Sequence, residues 1–175
     1  DLLLDSTLEQ AKQIFNNLDL VNELIDTYNY TLKEILTQDD QTNGLFFEEF
    51  DSIVELLREN QIESNMFREL SDDKLQDILT NLDKFMIIKN KLELDINEIA
   101  NIDLTRLNNL ILYANKFVRF TDAGLGKQQI LYDCDINNLV EMIKSPLIAQ
   151  QFIEKKIINN DNVGYLEHDK IQKLF

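Results

Sequence analysis

With 175 residues and 44% hydrophobic content the chain is long and apolar enough to bury a core, which excludes a disordered polymer. Only four Gly and one Pro argue against a turn-rich all-β fold. The 32 Asp/Glu against 17 Lys/Arg leave a net charge of −15, which opposes binding to nucleic acid or to an anionic membrane and favours a protein partner with a basic or mixed surface.

In chain order, Asp1-Leu2-Leu3-Leu4-Asp5 has no basic start and too short an apolar run for a signal peptide. The chain opens without Met and is expected to be an excised piece of a longer protein. Ser6-Thr7-Leu8-Glu9 reads as a capping box that opens a helix running to about Asn17. Val21, Leu24, Ile25, Tyr28, Leu32, Ile35 and Leu36 mark one face of a long second helix. Gln38 to Gly44 reads as a loop, and Phe50, Ile53, Val54 and Leu57 mark a third helix ending near Asn60.

From residue 70 a period of 32 appears. Leu70-Ser71, Ile102-Asp103, Cys134-Asp135 and Leu166-Glu167 are each followed by an apolar residue four places beyond the polar one: Leu75, Leu107, Leu139 and Ile171. This is a hydrophobic staple around a helix N-cap, with Glu167 the poorest of the four caps. Further columns agree: Ile78, Leu110 and Met142; Leu79, Ile111 and Ile143; Ile88, Phe120 and Phe152; Ile99, Leu131 and Val163. A second helix of each unit is expected to start near Asp83, Asn115 and Ser145, the last marked by Ser145-Pro146. The amino-terminal part keeps only an echo, because Leu45 and Leu70 are 25 residues apart rather than 32. Residues 1–60 are therefore either diverged repeats or a helical cap, and residues 61–175 the repeats proper.

The candidate chemical sites are few. Asn159-x-Asp161-x-Val163-Gly164 imitates a calcium loop, but its twelfth position is Lys170, and the matching places in earlier units are Lys74, Arg106 and Asn138. Gln38 to Glu49 has the terminal Glu of such a loop with its glycine one place late. Asp122-Ala123-Gly124-Leu125-Gly126-Lys127 lacks the first Gly and the Ser/Thr of a phosphate loop. His168 is expected at an exposed helix start, with no second His or nearby Cys for zinc. Cys134 lies in an apolar column and is read as a small core residue; alone, it forms no internal disulfide, which fits a reducing compartment. No catalytic, metal or cofactor residues are assigned. Phe46, Phe47 and Phe50 form the densest aromatic cluster, and since all three cannot easily face inward, Phe46 or Phe47 beside the acidic Glu48 and Glu49 is the candidate binding anchor.

The segment from Val163 to Phe175 resembles a repeat unit of large effectors from Legionella and related intracellular bacteria: Gly164 and Leu166 match a Gly-Leu-Leu-Thr-like lead-in, and Ser145-Pro146 matches the turn between its helices. The second unit departs from that pattern, with Ala100 at the glycine position and no proline. The resemblance covers residues 71–175 and implies an interaction module, without catalytic residues, in a protein delivered to the host-cell cytosol.

The expected fold is all-α, a short irregular α-solenoid of helical pairs or a helical bundle, with about eight to ten helices and a three-helix amino-terminal part. The expected function is non-enzymatic protein–protein interaction through an acidic helical surface in a cytoplasmic setting. The alternative is a regulatory or structural domain acting in cis on a catalytic domain elsewhere in the parent protein.

Overall fold

The computed structural model describes residues 7–36 and 40–175, and among these every regular element is helical. They divide into two compact units, Asp1–Thr80 and Asn81–Phe175. The first holds α1 (Leu8–Asn16), α2 (Leu18–Tyr28), α3 (Leu32–Leu36), α4 (Asp40–Glu48), α5 (Phe50–Arg58), α6 (Met66–Glu69) and α7 (Asp72–Thr80). The second holds α8 (Leu82–Leu92), α9 (Ile96–Asn101), α10 (Leu104–Leu112), α11 (Ala114–Asp122), α12 (Ile136–Lys144), α13 (Pro146–Glu154) and α14 (His168–Leu174). A π-turn over Gln129–Asp133 and a 3-10 turn over Val163–Tyr165 complete it.

Helices α1, α4, α7, α10, α12 and α14 begin at residues 8, 40, 72, 104, 136 and 168, so the 32-residue spacing runs from the first described helix onward. The first five are each nine residues long and end at a single connecting residue: Asn17, Glu49, Asn81, Tyr113 or Ser145. These connectors have φ from −136° to −96° and ψ from 11° to 63°, around the sparsely populated bridge region, and none caps the next helix through its side chain. Each second helix then closes near a residue with positive φ, namely Asn29, Asn60, Glu93, Gly124 or Lys156. That left-handed turn satisfies the last carbonyls, and it costs Glu93 and Lys156 about 1 kcal/mol that Gly124 does not incur.

The core follows the same spacing. Ile14, Phe46, Ile78, Leu110 and Met142 are buried, as are Val21, Ile53, Phe85, Phe117 and Ala149 on the second helices. Ile35, Phe67, Ile99, Leu131 and Val163 give a third buried column on the short elements that follow. Like packs on like: α2 on α5 and α4 on α7 in the first unit, and α8 on α11, α11 on α13 and α12 on α14 in the second. Leu70, Ile102 and Cys134 are buried at helix starts, while Leu166 is only half-buried. The Asp103 and Asp135 carboxylates accept the Arg106 and Asn137 N–H groups, and Glu167 makes no side-chain cap.

Five local expectations are corrected. The first capping box is formed by Thr7 and Gln10 rather than Ser6 and Glu9; Ser6 itself lies outside the described residues. The long helix expected to run on to Leu36 breaks at Asn29, whose left-handed backbone ends α2 before α3 begins. Of the expected loop over Gln38 to Gly44, the part from Asp40 is helix α4, while Gln38 lies outside the described residues. Among the described residues the three-helix amino-terminal part is thus five helices, α1 to α5, because the chain also turns at Glu49. Finally, Pro146 does occupy the first turn of α13, but Ser145 donates its hydroxyl to the Phe175 carbonyl instead of capping that helix.

Candidate functional site

The turn at Glu49 decides the fate of the expected aromatic anchor. Because α4 and α5 meet there at an angle, Phe46, Phe47 and Phe50 converge instead of fanning around one helix, with ring centroids 5.2 to 5.8 Å apart. Phe67 of α6 joins Phe46 at 5.4 Å. Phe46 is 2% and Phe47 9% exposed, so neither presents a surface to a partner and both are corrected from anchor to core. Glu48 is exposed and Glu49 half-exposed.

The charge of the chain is unevenly placed. Residues 1–80 carry five Lys/Arg against nineteen Asp/Glu, a net −14, whereas residues 81–175 carry twelve against thirteen, a net −1. Lys12, Arg58 and Arg68 of the first unit each pair with a carboxylate, Lys12 with Glu9 at 3.7 Å. Arg58 forms a forked pair with Glu23 across α2 and α5, and Arg68 pairs with Glu34 while lying over the Tyr30 ring at 4.2 Å. Exposed Glu48, Asp51, Glu55, Asp72 and Asp73 therefore set the potential of that unit.

The column that spoils a calcium loop has a structural task. The Arg106 guanidinium donates to the Ile130 and Cys134 carbonyls at 2.6 and 2.7 Å, closing the π-turn of the following pair. Asn138, 32 residues on and buried, donates to the Leu166 carbonyl at 2.7 Å. Its amide oxygen lies 2.9 Å from Nδ1 of His168 and can only accept, so that ring nitrogen carries a proton. His168 is thus half-buried and tied to α12, not freely exposed as expected. Lys127, from the false phosphate loop, pairs with Glu98 at 2.7 Å and donates to the Glu93 carbonyl.

Burial pushes the Cys134 thiol up to about 12, so it carries no thiolate at neutral pH. No group of three or more His, Cys, Asp and Glu side chains among these residues is placed to hold a metal. A cleft of about 460 Å³ is lined by Asp133, Asn160, Asp161, Gly164 and Tyr165. A Cβ at Gly164 would stand 3.1 Å from the Asp133 carbonyl oxygen, a tight contact that the glycine avoids. The cleft offers hydrogen-bond acceptors and an exposed tyrosine, and no nucleophile paired with a base.

No known protein family, curated protein or solved structure matches this chain. No helix among the described residues is long and apolar enough to cross a membrane.

Proposed function

We propose that the chain is a protein–protein interaction module, a stack of 32-residue helix pairs whose acidic first unit engages a partner with a basic or mixed surface. The observation that carries this reading is the partition of charge, −14 over residues 1–80 against −1 over residues 81–175. A potential concentrated on one unit orients an approaching cationic surface and raises its association rate, while apolar contacts supply most of the affinity. The resemblance to effector repeats supports reading the module as part of a bacterial protein that acts on a host-cell partner in the cytosol, with no catalytic role for this segment.

The test is capture of host proteins by the intact chain and by a Glu48→Lys/Asp51→Lys variant, at low and high salt. Partners retained by the wild type and lost in the variant and at high salt are the expected result. Partners that survive both changes would sink the electrostatic reading. Capture only of another segment of the parent protein would favour the regulatory role in cis.

A further inference from the structure

At Leu147 helix α13 breaks a rule that the other second helices keep. The places 32 residues apart from Leu147 hold Asp19, Asp51, Asp83 and Asn115, all exposed. Those matching Ile148 hold Leu20, Ser52, Lys84 and Lys116, none of them buried. These positions face solvent in every pair, whether or not another pair stacks beyond it, so their exposure in α13 is not created by the end of the stack. Yet Leu147 is 62% and Ile148 43% exposed. Leu112, at the end of α10, shows the same exchange: it is exposed where Asn16, Glu48, Thr80 and Lys144 stand in the other pairs. From Pro146 to Ile153 there is no charged residue, in a chain that is 28% charged. Phe152, one turn from Ile148 on the same face, meets Phe175 at 5.6 Å, next to exposed Leu174.

We infer that the α13 face built on Leu147 and Ile148 is a self-association surface whose occupant is the same face of a second copy of this chain. Charge selects this occupant. A cationic partner of the kind attracted by residues 1–80 gains no Coulomb energy from an uncharged helix. Residues 104–154, by contrast, hold five Lys/Arg and five Asp/Glu, so two such faces approach about a two-fold axis without net repulsion. A two-fold contact must be self-complementary, and an uncharged apolar patch meets that condition directly. The strongly acidic first unit resists the same approach.

Sedimentation velocity of the intact chain from micromolar to millimolar concentration tests this. The expected result is a monomer–dimer equilibrium that persists at high salt. A Leu147→Asp/Ile148→Asp variant should raise the dissociation constant by about 30-fold or more, as loss of one interface hot spot does. Its circular dichroism and unfolding midpoint should stay unchanged, since both side chains are exposed. A monomer at every concentration, a dimer lost at high salt, or a dimer retained in this variant would each overturn the assignment.

Discussion

At the scale of single residues, the ties between successive pairs are polar side chains that reach forward to a backbone carbonyl. Asn138 satisfies the Leu166 carbonyl and the His168 ring at once. Asn138→Leu should therefore destabilise the chain by about 1–3 kcal/mol in urea unfolding, because two partly buried polar groups lose their partner together. Glu23 shows the pH side of the same residue scale. Its hydrogen bond to Arg58 holds the carboxyl below the ordinary glutamate value. The pair thus contributes stability above the unfolded-state pKa and loses it as pH falls through the folded one. Wild type and Glu23→Gln should differ in unfolding midpoint at pH 7 and converge in the acid range below that of an ordinary glutamate.

At the scale of elements, α4 shows why the amino-terminal half was poorly legible. The staple places that hold Leu70 with Leu75 and Ile102 with Leu107 are filled here by Gln38 and Asn43, and in the first pair by Ser6 and Ala11. Without the apolar bracket, Gln38 to Gly44 has the composition of a loop. Helix α4 is held instead by tertiary burial of Asn43, Phe46 and Phe47, which a local reading does not contain. Gly44 is then a defect inside a helix: a Cβ there would meet nothing within 4 Å. Gly44→Ala should raise stability by about 0.5–1 kcal/mol in thermal or denaturant unfolding. The carboxy-terminal half was legible where side-chain chemistry repeats, as at the Asp103 and Asp135 caps. The connectors were less so, since Asn17, Glu49, Asn81, Tyr113 and Ser145 share a backbone conformation but no side-chain type. The expected exposure of Phe46 or Phe47 is not met for a related reason: with Phe46, Phe47 and Phe50 placed on one continuous helix they diverge, and one turn at Glu49 brings them together.

At the scale of the whole molecule, net charge and its distribution carry different information. A value of −15 reads as a uniformly acidic protein, whereas −14 and −1 on two compact units separate a strongly charged unit from a near-neutral one. The position of Leu147 and Ile148 acquires meaning only against Asp19, Asp51, Asp83 and Asn115, so the comparison needs the register that the first helices establish.

The packing of helices on counterparts 32 residues away within each unit also has a mechanical consequence. Within each unit a pull on the chain loads one inter-pair interface after another, and no strand ladder shears as a block. Yielding of one pair frees about 110 Å of contour, the extended reach of its residues. Optical-tweezer traces should show small, nearly equal extensions of that size at low force, and refolding one pair at a time as the tension is relaxed.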